Sequence, residues 1–414
     1  MAGSVFQAMG LFLLACAVIF SRRPEAVLHP QFYAEDGHVW YADAYNMGWW
    51  APIFRTYTGY FTILPRLGGA LALLVSFAQV PLFMNLVAIA IQALPVSVLL
   101  SPRSTAWGPF RFRALLAIAY LALPNSNEVS YGLTVSNFLL ALVAMLLLLA
   151  KSPQSIPGKF FDCIVFLLCG LTGPFCIFFL PISLYRAWKE KDRWQRVPAA
   201  IFLLSCTIQS WALLFLAPAA RARRAFGASA ELALRILGGQ VYLGALLGGN
   251  GLSALPGRGV SIALGVVALL GTTLIIYCIV KAPWRWKVFV GFSALLFASA
   301  LKAPVEWGRP DLAVWNVLAA SPGHRYWFFP TLAFVWVLLW GFHQRPAFLR
   351  GASALLLSLL CLGIVHDWHH RVFPDSHFAD SAQRFNAAPA GATVIIPETP
   401  DGWSMQLVKH TSYP

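Results

Sequence analysis

The residues best equipped for chemistry are the adjacent carboxylates Glu35 and Asp36, in His29-Pro30-Gln31-Phe32-Tyr33-Ala34-Glu35-Asp36-Gly37-His38. Two histidines and the aromatics Tyr33, Trp40 and Tyr41 surround them, and no Lys or Arg is near in sequence. A carboxylate among aromatic rings is driven toward a neutral-range pKa by burial and can then accept a proton from a substrate hydroxyl. The same pair could hold a hard divalent cation, Mg or Mn, through its oxygens. A solvated acidic turn is the plain alternative, and the aromatic setting argues against it.

Basic and polar groups that could join the pair lie far away in sequence. Arg55 and Arg66 flank the acidic stretch, and Arg66, beside Pro65 in an apolar run, would be costly unless paired. Arg325-Tyr326 follows Gly323-His324, and Arg309 lies in Glu306-Trp307-Gly308-Arg309. Arginine presents a planar fork of donors matched to phosphate oxygens, with snorkelling at a helix end as the competing explanation. Asn127, Glu128 and Asn137 offer polar contacts suited to sugar hydroxyls, although Asn and Ser also cap turns for local reasons. His366, His369, His370 and Asp367 have metal-like spacing but no second ligand set.

The elements that must carry these residues are membrane helices. The chain has 414 residues, of which 59% are hydrophobic and only 11% charged. Its mean hydropathy is +0.68, too apolar for a soluble surface. Apolar runs occupy 5–20, 62–78, 82–100, 114–124, 132–150, 160–172, 174–187, 197–217, 260–280, 288–302, 326–341 and 351–366. In lipid the backbone must satisfy its own hydrogen bonds, so an all-α polytopic protein is expected. Residues 5–20 lack a basic leader region and read as an uncleaved first helix. The seven cysteines all fall in apolar segments, which argues against a disulfide framework or a zinc site.

Charge divides the connections into two sets. Residues 101–113, 151–159, 186–196, 281–287 and 342–350 carry 15 Lys/Arg against two acids. Residues 21–61, 125–131, 218–259, 303–325 and 367–414 carry 13 of each. The first set is expected in the cytoplasm. Arg22-Arg23 argue locally the other way. The net charge of +14 then reflects topology and contact with anionic membrane lipids, and nucleic acid is not an expected partner. Parity requires one of 62–78 and 82–100 not to cross. Residues 62–78, with Pro65, Arg66 and Gly68-Gly69, are expected to be re-entrant or interfacial. About 11 crossings follow, with the N-terminus cytoplasmic, a membrane domain over 1–366 and a small extracytoplasmic tail over 367–414.

A first helix, an exterior loop with an acidic pair, an interfacial dip and then many helices resembles the GT-C superfamily of membrane glycosyltransferases. Gly170-Leu171-Thr172-Gly173-Pro174-Phe175, ending at Leu180-Pro181, is similar to a recurring element in bacterial members. The resemblance implies a GT-C-like bundle in a bacterial inner membrane. It implies transfer of a hexosyl or pentosyl group from a polyprenyl-phosphate donor to a glycan, lipid or protein hydroxyl at the periplasmic face. It maps the family's acidic residue onto Asp36 as base, with Glu35 as neighbour and arginine on the phosphate. The rivals are a transporter or flippase of a lipid-linked saccharide, which should hold its charges near the midplane, and an oligosaccharide polymerase or ligase, which should put paired arginines foremost.

Overall fold

The computed structural model describes residues 2–216, 225–253, 260–304 and 311–410. The chain is mostly helical. Among the described residues six helices are long and apolar enough to cross a membrane: Phe77–Leu100, Arg193–Phe215, Ala230–Ser253, Ile262–Lys281, Arg325–Phe342 and Ala347–His366. Two helices form the centre. Ser136–Leu149 and Phe328–Phe342 are buried almost throughout, because both are apolar on every face and find no solvent-facing side. Helix Ala347–His366 buries only a few residues and shows the rest outward, as a lipid-facing helix does.

The two charge classes of connection gather at opposite ends of the bundle. At one end the Lys151 amide donates to the Arg103 carbonyl, and Arg103 pairs with Asp162. Arg285 donates to the carbonyl of Leu149, and Phe112 meets His343 edge-on. At the other end Arg22 joins Leu121, Leu123, Asp367 and Trp368, donating to all four backbone carbonyls. Arg23 donates to the Ser130 carbonyl and sits over Tyr131 at 4.9 Å. These two arginines therefore staple the charge-balanced end from inside the protein. They are not solvated topology signals, which explains why they oppose the overall charge pattern.

Two helices begin and finish at this same charge-balanced end. Ile63–Ala72 has ten residues, about 15 Å at 1.5 Å per residue, half a bilayer. It starts beside Leu171, whose carbonyl accepts from the Ile63 amide. It is followed by Phe77, which packs on Phe378 and Phe385. The second, Ala230–Ser253, corrects the expectation of an exterior loop over 218–259. Before it, the carbonyls of Ala225 and Phe226 accept from Val314 and Trp315. After its break at Gly248 (φ 77°), Asn250 bonds to His366 and Asp367. Its glycines hid an apolar helix, and packing explains one of them. A Cβ on Gly238 would lie 2.4 Å from the Leu264 carbonyl oxygen, so only glycine permits that contact.

The tail is a helix, Phe378–Ala387, under an antiparallel hairpin of Thr393–Glu398 and Trp403–Val408. Ile396, Met405 and Leu407 alternate inward and are buried, as the two-residue strand period requires. Asn46 closes the open edge, donating to the Gln406 carbonyl and accepting from the Val408 amide.

Candidate active site

The acidic stretch is clamped by the tail. The Ala34 amide donates to the Thr399 carbonyl at 2.6 Å, and the Thr399 amide and hydroxyl both donate to the Phe32 carbonyl. Ala34 is held at φ 48°, a left-handed conformation that a non-glycine residue adopts only under such constraint. From this bend the two carboxylates part company.

Asp36 turns inward and is 1% exposed. Its Oδ2 accepts from the Leu133 amide at 2.9 Å. Its Oδ1 accepts from the Thr134 amide at 2.7 Å and the Thr134 hydroxyl at 2.6 Å. The same hydroxyl accepts from Trp40 Nε1. Gly132 makes room, since a Cβ there would lie 2.4 Å from Asp36 Oδ2. Burial pushes Asp36 up to about 7, against the pull of the Thr134 and Leu133 donors. Glu35 instead stands on the wall of a cavity, and its Oε1 accepts from the Tyr57 hydroxyl at 3.0 Å.

Sequence reading made Asp36 the base and Glu35 its neighbour; of the two, the structure sets Glu35 on the cavity wall. Both oxygens of Asp36 are engaged by donors, and it does not line the cavity; Glu35 does. For the same reason the pair does not fit a hard cation. Asp36 has its oxygens turned to N–H and O–H donors, and Glu35 Oε1 is turned to the Tyr57 hydroxyl. Among the described residues no group of three His, Cys, Asp or Glu side chains is arranged to hold a metal. Asp367 likewise spends its carboxylate on the amides of Asn125, Gly249 and Asn250, as a cap and not a ligand.

The cavity has a volume of about 620 Å³ and a mixed lining. Its polar lining includes Glu35, Tyr57, Glu128, Thr134, Asn137, His324, Arg325 and Tyr326. Its apolar lining includes Phe138, Phe175, Phe178, Leu213, Leu296 and Phe329. These come from the ends of five bundle helices, so the chamber opens between helices just where their side chains give way to polar loops. Tyr33, Pro400 and Trp403 complete the wall.

Arg325 is fixed by Glu128. The Arg325 amide donates to Glu128 Oε2 at 2.7 Å, and its guanidinium pairs with Oε1. The Glu128 amide in turn donates to the Gly323 carbonyl. Burial works against the Glu128 charge, yet Arg325 and then His324 hold its carboxyl below the usual range. His324 Nδ1 lies 3.7 Å from Glu128 Oε2. This unit joins the 125–131 connection to the start of helix Phe328–Phe342 and sets a cation–carboxylate pair into the cavity wall.

The remaining expected residues separate. Asn137 and Tyr326 are on the cavity wall. Arg55 and Arg66 are not. Arg66 pairs with Asp43 at 2.5 Å and stacks on Trp40 at 4.9 Å, which satisfies the requirement for a partner. Arg55 lies 3.9 Å from the same Asp43. Asn127 Oδ1 meets His370 Nδ1 at 3.0 Å and also stays off the cavity wall. Arg309 lies outside the described residues. Sequence reading missed Tyr57, His324 and Trp403. The first two stand next to residues that were singled out, so proximity was the available signal. Trp403 lies more than 350 positions from Glu35, and no local pattern links them.

Compared with known protein families and with characterised proteins, the chain has no match: no family model fits it, and no curated protein is significantly similar.

Proposed function

We propose that this chain is a GT-C-type membrane glycosyltransferase that moves a sugar from a polyprenyl-phosphate carrier to a hydroxyl acceptor. The observation that carries this reading is that one cavity is lined by Glu35, by Arg325 and by phenyl and leucine side chains. A sugar joined to a phosphate joined to a hydrocarbon calls for the same three kinds of surface. The leaving group is already good, so the protein need supply only a base, a cation and exclusion of water.

In this mechanism the Glu35 carboxylate takes the acceptor's hydroxyl proton. The acceptor oxygen attacks the anomeric carbon. The bond from that carbon to the phosphate oxygen breaks, and the electron pair leaves with the carrier phosphate. Tyr57 orients Glu35 through its hydroxyl. Arg325, aimed by Glu128, stabilises the departing charge with guanidinium donors.

The topology proposed with it has eleven crossings in a bacterial inner membrane, the N-terminus and basic end cytoplasmic, and the site and tail periplasmic. The segregation of the two loop classes supports it, as do the returning courses of Ile63–Ala72 and Ala230–Ser253.

The test is transfer from a polyprenyl-phosphate sugar by purified protein, comparing wild type with Glu35→Gln. Loss of transfer in a variant that keeps its melting temperature is expected. Full activity in Glu35→Gln would remove the base. Wild-type protein that moves the donor across vesicles without transferring the sugar would replace the enzyme with a flippase.

A further inference from the structure

An aromatic turn beside the site has no protein covering it among the described residues. Trp49, Trp50 and Phe54 are 56%, 57% and 56% exposed. They pack on one another, with ring centroids 5.3 Å apart for Trp49–Trp50 and 4.8 Å for Trp50–Phe54. The opposite face of the turn is anchored, since Pro52 and Ile53 are buried. The turn is therefore held in place while presenting its rings outward. Contiguous exposed apolar surface of this kind marks an interaction site.

We propose that residues 47–55 are seated in the interfacial layer of the bilayer and fix the depth of the acidic stretch relative to the lipid headgroups. Three observations select lipid as the occupant. The turn Ala51–Phe54 packs on the half-length helix Ile63–Ala72. That helix presents Leu71, and the segment after it Leu74 (82% exposed), so the neighbouring segment, too short to cross, also turns apolar side chains outward. The rings are mostly indole, the side chain whose flat apolar body and polar N–H suit the headgroup boundary. Arg55, more than half exposed and only 3.9 Å from Asp43 at its nearest approach, adds a cation at the same level, where anionic lipid attracts it.

The consequence is positional. Trp40 links the turn's neighbourhood to the site: Arg66 stacks on it from the helix side, and its Nε1 reaches Thr134, which holds Asp36. A turn fixed at headgroup depth thereby fixes the acidic stretch at that depth too. This inference needs a membrane but no transferase activity, so its failure and that of the proposed reaction are separable.

The experiment uses the full chain in proteoliposomes of zwitterionic and anionic phospholipid. A spin label is placed by Trp50→Cys after replacement of the seven native cysteines. Asp401→Cys, on the exposed hairpin turn, gives the water reference. Native Cys361, exposed on a membrane helix and kept alone, gives the lipid reference. Collision rates with oxygen and with a water-soluble nickel chelate are then measured. The expected result at position 50 is oxygen access like that at 361 and loss of the nickel-chelate access seen at 401. Nickel-chelate access equal to that at 401 overturns the proposal in favour of an aqueous loop. Protection from both reagents overturns it in favour of a protein occupant, such as a second copy or a polypeptide acceptor.

Discussion

Glu398 on the C-terminal hairpin accepts a 2.7 Å hydrogen bond from His38 Nδ1 of the acidic stretch, and its second oxygen accepts from the His38 amide. The contact joins positions 360 residues apart. It places Pro400 and Trp403 on the cavity wall, with the Trp403 ring 4.9 Å from the imidazole. Burial disfavours the His38 cation, but Glu398 and the nearby Glu35 outweigh it and raise the imidazole pKa. Burial also raises Glu398, against the pull of His38.

The pH dependence follows from these directions. His38, with a raised folded pKa, stabilises the clasp fully below its unfolded value of about 6.5, and that contribution is lost as pH rises through the folded value. Glu398 and Asp36, also raised, act in the same sense, Asp36 up to about 7. Glu128, lowered by Arg325 after its burial cost, acts oppositely: its contribution is present above the ordinary carboxylate value and lost as pH falls through its lowered one. The melting temperature in detergent is expected to fall between pH 5 and 8. His38→Gln should flatten that slope. A slope unchanged in His38→Gln would show that the clasp does not titrate there.

The two carboxylates are expected to fail differently. Glu35→Gln should lower transfer by about 10²- to 10⁴-fold, the usual worth of a general base, with little change in stability. Asp36→Asn replaces an acceptor of three bonds with an amide whose NH2 must face one of the two backbone N–H donors. It should cost about 1–3 kcal/mol of stability and reduce activity through misplacement of the loop. Paired measurements of melting temperature and transfer rate check this. Equal thermal penalties in the two variants would contradict the division.

Arg325→Lys keeps a charge but removes the fork that Glu128 holds. It should lower kcat more than it raises KM for the lipid donor, because the charge it stabilises develops as the phosphate departs. Glu128→Gln should reproduce part of that effect by releasing the guanidinium. A donor-KM effect alone, with kcat intact, would make Arg325 a ground-state anchor.

Gly132→Ala sets a methyl group against Asp36 Oδ2. The Leu133 and Thr134 bonds must then lengthen, at a cost of about 1–3 kcal/mol. Thr134→Val removes the shared hydroxyl between Asp36 and Trp40 and should be milder, since both amide donors remain. Thermal denaturation ranks the two. A Gly132→Ala variant as stable as wild type would show that the loop has slack.

The helical membrane character was legible because long apolar runs have few other uses. The grouping of loops was legible because charge follows topology even when two arginines, Arg22 and Arg23, spend their donors on buried carbonyls. The helix Ala230–Ser253 was not, since six glycines within it dilute the apolar signal, among them Gly238, which close packing against Leu264 requires. At the site, the stretch 29–38 could be found from residue types alone. Which carboxylate faces the cavity could not, because a single left-handed residue, Ala34, decides it, and a partner near position 399 imposes that geometry. Arg325 could be singled out, but its dependence on Glu128, 197 positions earlier, is invisible to local reading.

The hairpin's place in the wall has a consequence for biogenesis. By the time the ribosome adds Glu398 and Trp403, the helices that line the chamber have already been made. Until those late residues are docked on His38 and Phe32, the chamber lacks part of its wall, and Ala34 lacks the bonds that hold its bend. A chain ending short of residue 398 would therefore hold the chamber's helices without its hairpin wall, so that the chamber is completed in one late step.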